Sequence, residues 1–151
     1  MAGREDNMTA KKYLQQLRSL DIKIKQRKEQ IRELQSLASG QGSFDYSKER
    51  VQTSVGGDKL SENVSRYVDI EKEVDKLIAE FTAKKDRIIS EIQSLEDSRY
   101  IEILYKRYVE FKKFELIAVE MNYDYDWIRR LHGQALEAFA RTHINTHFHV
   151  L

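Results

Sequence analysis

The stretch Phe114-Glu-Leu-Ile-Ala-Val-Glu-Met-Asn-Tyr-Asp-Tyr-Asp-Trp-Ile-Arg-Arg-Leu131 decides how this chain is read. Four of its positions carry the meaning. Ala118 is small, as a residue must be where two helices cross closely. Asn122, four residues on, tolerates the positive φ that a tight turn between helices requires. Asp124 can cap a second helix by accepting from an amide of its first turn. Ile128, six residues after Asn122, returns an apolar side chain to a core. Small residue, turn former, cap and anchor in this register predict a helix-turn-helix.

With Ile128, Leu131 and Ala135 facing inward, Tyr125, Asp126, Arg129 and Arg130 form the outward face where the second helix begins. Gln134 follows one turn later. A recognition helix presents its N-terminal residues to the major groove. There Arg can bind guanine O6 and N7 bidentately, and Asp can accept from a cytosine amino group. Lys112 and Lys113, at the start of the preceding helix, are positioned to hold a phosphate. An isolated arginine pair on a helix is ordinarily a solvated face; within this spacing, DNA contact is the favoured reading. Residues 98–141 carry eight Lys/Arg against seven Asp/Glu. So few surplus cations imply weak independent binding, which a dimer or RNA polymerase would have to reinforce.

Around this motif, Ile101, Leu104, Tyr105, Tyr108, Phe114, Ile117, Met121, Ile128, Leu131, Ala135, Leu136 and Phe139 form a broad apolar set. They predict a trihelical core over residues 98–141, a size that is marginal alone. Upstream the pattern is narrower. Tyr13, Leu17, Leu20, Ile24, Ile31, Leu34 and Ala38 recur at alternating spacings of three and four, interrupted at Arg27, as in a coiled-coil seam. Leu60, Val64, Tyr67, Val74, Ile78, Phe81, Ile88, Ile92 and Leu95 form a second seam, interrupted at Glu71 and Lys85. The first helix is expected to start at Met8 with Thr9 as its cap, and the second at Asp58. Between them lies a glycine-containing loop, 39–58, whose Tyr46, Lys48, Arg50 and Thr53 give it a polar, partner-facing character. The two helices read as an antiparallel hairpin or as a parallel dimer, and the pattern does not choose. Residues 1–38 carry nine Lys/Arg against five Asp/Glu, and residues 59–97 seven against ten. Opposite charge suggests that the two pair, in cis or across a dimer.

The expected organisation is therefore all-α. Residues 1–7 are a tag or disordered, 8–97 two long coiled-coil helices, 98–141 the DNA-binding domain and 142–151 a frayed tail. The chain has 151 residues, no proline, no cysteine and 34% charged residues. That composition favours long exposed helices and excludes disulfide and thiol chemistry. No apolar run is long enough for a membrane span, so a cytoplasmic protein without membrane contact is expected. His143, His147 and His149 could ligate a metal through i, i+4 spacing, but without further ligands no metal site or cofactor is expected. His132 is expected to pack beside the second motif helix or meet a phosphate, and Trp127 to edge the core. No nucleophile constellation, paired-carboxylate cleft or phosphate loop is present, so an enzyme is not expected.

The run LYKRYVEFKKFELIAVEMNYDYDWIRRLHGQALEAF (104–139) resembles region 4 of sigma factors. It is most similar to small sigma-like proteins of prophages and integrative elements in Gram-positive bacteria, related to late-gene activators of the ArpU and RinA kind. The N-terminal MTAKKYLQQLRSLDIKIKQRKEQI and the linker DYSKERVQTSVGGDKLSENV share that likeness, so it covers the chain from Met8. The resemblance implies a transcription regulator, an activator, acting in a bacterial host cell on phage or mobile-element promoters through host RNA polymerase. It matches Tyr125, Asp126, Arg129 and Arg130 to the residues turned toward the −35 element. Asn122 departs from the glycine usual at that turn, and nothing resembling sigma region 2 is present. The rival reading is a phage packaging protein, such as a small terminase subunit, using the motif for DNA and the coil for oligomerisation. A third keeps the motif purely for protein contact. A homodimer fits the first reading, and a ring of many subunits the second.

Overall fold

The computed structural model describes residues 2–39 and 55–144. Most of the expected 39–58 loop, with Tyr46, Lys48, Arg50 and Thr53, lies outside the described residues, as do His147 and His149. The elements are α1 (Ala2–Leu14), α2 (Gln16–Ala38), α3 (Val55–Gln93), α4 (Ser98–Leu104), α5 (Phe114–Met121) and α6 (Tyr125–Phe139). Single π-type turns, Tyr105–Val109 and Ala140–Ile144, extend α4 and α6. The described residues are all-α, without strand, and none of their helices is long and apolar enough to cross a membrane.

The chain divides into two compact units, Met1–Leu20 with Phe81–Leu151, and Asp21–Glu80. The division falls elsewhere than at the expected 97/98 boundary, for a physical reason. The interior formed by Ile103, Leu104, Ile117, Ile128, Leu131, Ala135 and Phe139 is continuous with Ala10, Leu14 and Leu17 of the N-terminal helices and with Ile88 and Ile92 of α3. Forty residues of helix bury too little apolar surface on their own. Each Leu, Ile or Phe fully withdrawn from water adds roughly 1.5–3 kcal/mol, and Leu14, Leu17, Ile88 and Ile92 are all nearly inaccessible. Tyr13 lays its ring against Phe139, with centroids 5.9 Å apart. Burial and a hydrogen bond to Glu91 push the Tyr13 phenol up to about 12.

The N-terminal region differs from expectation in its start. Helix α1 runs back to Ala2, through the residues expected to be tag or disordered, and Thr9 lies inside it rather than capping it. Arg4, Glu5 and Met8 are good helix formers, which offset Gly3 and the weaker Asp6 and Asn7. Helix α3 likewise begins at Val55, which puts Asp58 in its first turn. Asp97 does cap α4, accepting from the Arg99 amide at 2.9 Å. At the other end, His143 is not frayed. Its Nε2 lies 2.8 Å from the Glu91 carbonyl and 2.8 Å from Ser94 Oγ, tying the last described turn to the end of α3.

In the second unit, Ile31 and Leu34 cluster with Ile70, Val74 and the half-buried Tyr67. Arg27 pairs with Glu73 at 3.3 Å. That pair brings opposite charges of the two segments together in cis. The seam is thin. Leu60, Val64 and Ile78, expected on it, are exposed, as is Val68.

Candidate nucleic-acid interface

The geometry of residues 114–131 follows from its end signals. Helix α5 stops where Asn122 takes φ 58°, ψ 41°. The Tyr123 amide then donates to Ala118 O at 3.0 Å and the Asn122 amide to Val119 O at 3.3 Å. This pair of bonds is a Schellman closure, which satisfies carbonyls that the helix end would leave open. Asp124 caps α6, its carboxylate accepting from the Trp127 amide at 2.8 Å. Ala118 and Ile128 are buried on either side of the turn. Trp127 is half-buried, edge-on to Tyr123 with centroids 6.3 Å apart.

Helix α6 then sorts its faces. Ile128, Leu131, Ala135, Leu136 and Phe139 are buried, while Tyr125, Asp126, Arg129, Arg130 and Gln134 are exposed. A shallow recess at its start is lined by Asp124, Tyr125, Asp126, Trp127 and Arg130. Arg129 holds its guanidinium 5.8 Å from the Tyr125 ring centroid, a cation–π arrangement. Gln134 accepts from the Tyr100 hydroxyl at 3.4 Å, which links it to α4.

The two lysines paired in the sequence reading part company. Lys112 Nζ sits 2.6 Å from Glu110 and 2.8 Å from Glu120. Lys106 reaches the same Glu120 at 2.9 Å. The carboxylates hold the Lys112 ammonium above its usual pKa, and the lysines hold Glu120 below its own. Lys112 is thus occupied by carboxylates. Lys113, at the N-cap of α5, lines a separate cleft with Gln15, Arg18, Arg107, Tyr108 and Phe111. Arg18 and Arg107 were not singled out in the sequence. Arg18 is separated from Lys113 by most of the chain, and no local pattern joins them.

Beneath this surface lies the buried pair Tyr108–His132, with Oη and Nε2 2.7 Å apart. Phe114 meets the imidazole edge-on, with centroids 4.8 Å apart, and Arg107 stacks on Phe114 at 4.1 Å. Burial first, then the charges of Arg107, Lys11 and Arg129, bring the His132 imidazole down to about 4. The ring is therefore neutral at physiological pH. Among the described residues no group of three His, Asp or Glu side chains could hold a metal ion.

Comparisons with family models, with curated proteins and with solved structures find no significant match to this chain.

Proposed function

We propose that this protein is a DNA-binding transcription regulator, an activator of phage or mobile-element genes. In this reading α5 and α6 form a helix-turn-helix of the sigma region 4 kind, and α6 is the recognition helix. One observation carries the proposal. The closed turn at Asn122 and the Asp124 cap set α6 on a buried base, leaving Tyr125, Asp126, Arg129 and Arg130 together and exposed on its first two turns. Those side chains have the donor and acceptor chemistry that base edges present in the major groove. Segments α2 and α3 form a helical hairpin whose exposed row Leu60, Val64 and Val68, spaced by four, supports pairing with a second copy of the chain. Two copies would double the few phosphate contacts available to one and place two recognition helices on a duplex. Host RNA polymerase is the second proposed partner, on the strength of the sequence resemblance.

The test is selection of bound fragments from the source genome at moderate salt, with wild type beside the Arg129→Ala/Arg130→Ala variant. A site enriched by the wild type and lost in the variant supports the reading. Failure of the wild type to enrich any site, with polymerase added, overturns it in favour of a protein-binding role. A ring of many subunits in solution would instead favour the packaging reading.

A further inference from the structure

Helix α6 holds a glycine, Gly133, in its interior. Glycine there weakens a helix relative to alanine. A left-handed backbone or a close neighbour would require it, and Gly133 has neither. It lies within the regular helix, and a Cβ built on it meets no atom within 4 Å among the described residues. Helix α1 does reach this point, where the Asn7 side-chain amide donates to the Gly133 carbonyl at 3.5 Å, but its approach leaves that room open. The open space lies on the recognition face. Asp126, Arg129, Arg130, Gly133 and Glu137 follow one another at spacings of three and four, so they share one side of α6. The four side chains among them are exposed, whereas Leu131, His132, Ala135 and Leu136 turn inward. Gly133 is thus a bare stretch of helix, with two arginines one turn before it and Glu137 one turn after.

We propose that Gly133 marks where the sugar–phosphate strand bordering the groove read by α6 runs closest to the protein. The inference rests on the DNA-binding reading and adds a contact point to it. A recognition helix enters the major groove by its N-terminal residues. Gly133 stands eight residues behind Tyr125, about 12 Å along the axis at roughly 1.5 Å per residue. The groove is about 12 Å wide and roughly 8.5 Å deep, so a point this far behind the tip lies level with the bordering phosphates rather than with the bases. A side chain at 133 would meet that strand first and hold α6 back from the groove floor. With none there, the strand rests on the helix backbone while Arg129 and Arg130 reach the bases ahead of it. Glu137 repels phosphate and keeps the strand on the arginine side of its own turn. The glycine therefore supplies room and no attraction. Room of this kind is independent of sequence, because every duplex has the same backbone. Helix stability is given up for depth of docking.

The experiment measures full-length wild type, Gly133→Ala, Gly133→Met and Arg129→Ala/Arg130→Ala on an enriched duplex and on a scrambled one, with thermal unfolding of each protein. Gly133→Ala is expected to unfold at a higher temperature than wild type and yet to bind both duplexes roughly tenfold more weakly. Gly133→Met, which also favours helix, adds a longer side chain and is expected to weaken both further while keeping the fold. A more stable Gly133→Ala protein with unchanged affinity for both duplexes overturns the inference. The DNA-binding reading then stands on the discrimination lost by the Arg129/Arg130 variant. A less stable Gly133→Ala protein also overturns it, because the glycine would then serve the fold. A loss confined to the enriched duplex places a base instead of the backbone at Gly133 and overturns the strand assignment. Absence of duplex binding by wild type removes both the inference and the reading beneath it.

Discussion

The Tyr108–His132 pair makes the folded chain sensitive to mild acid. In the unfolded chain the imidazole titrates near 6.5, whereas in the fold it titrates near 4. Its folded pKa is the lower of the two, so the unfolded state takes up the proton first and stability falls as pH drops from about 6.5 toward 4. Above that window the group contributes no pH dependence, and below it the loss is complete. At about 1.36 kcal/mol per pH unit, the full loss is roughly 3 kcal/mol, of which about 2 fall between pH 7 and pH 5. Whichever partner carries the shared proton, a charged ring would sit among Arg107, Lys11 and Arg129. Urea unfolding at pH 7 and pH 5, in wild type and in His132→Gln, isolates the effect. Gln keeps a polar partner for the Tyr108 hydroxyl but does not titrate. The wild type should lose about 2 kcal/mol more than the variant over this interval. Equal losses in the two proteins would refute the reasoning.

Three further outcomes follow from the same geometry. Asn122→Ala places an ordinary side chain in the left-handed region and should cost about 1 kcal/mol in urea unfolding, whereas Asn122→Gly should be near neutral. Gly133 sits inside α6 where an added Cβ meets no atom within 4 Å, so Gly133→Ala should raise stability by up to about 1 kcal/mol. Glu120→Gln removes the carboxylate shared by Lys106 and Lys112. If the DNA-binding reading is right, titrations on scrambled duplex should then show tighter binding and a salt slope steeper by about 1–2.

The C-terminal geometry was legible because it is written in local chemistry. Asn122 closes α5 and Asp124 opens α6 through bonds spanning five residues or fewer, the range over which sequence spacing is informative. The apolar periodicity similarly marked Leu131, Ala135 and Phe139 as interior. The N-terminal seam was legible only in part. Leu17, Leu20, Ile31 and Leu34 are buried as their spacing predicts, but Ala10 and Leu14 join a different core from Ile31. A heptad pattern reports that a face is covered and says nothing of which segment covers it. Ile70, deep in the second cluster, went unmarked, while its neighbour Val64 is exposed. The cleft at Arg18 was invisible for the same reason. It depends on where α2 lies against a turn some ninety residues later, and on Phe111 adopting a conformation that its residue type disfavours.

The interior of the first unit draws on residues up to Leu20 and on residues from Phe81 onward, with residues 21–80 between them in the chain. That arrangement sets a schedule for synthesis. Leu14 and Leu17 leave the ribosome well before Leu131 and Phe139 and stay without these partners until α6 has been made, so the unit closes only after that. A nascent chain stalled in α3 would carry an apolar helix face in need of cover, the state that chaperones recognise. The same dependence governs transplantation. A fragment beginning at Ser98 would lack part of its own interior and should not fold, whereas one joining residues 1–20 to 81–151 through a short linker keeps every side chain of that core.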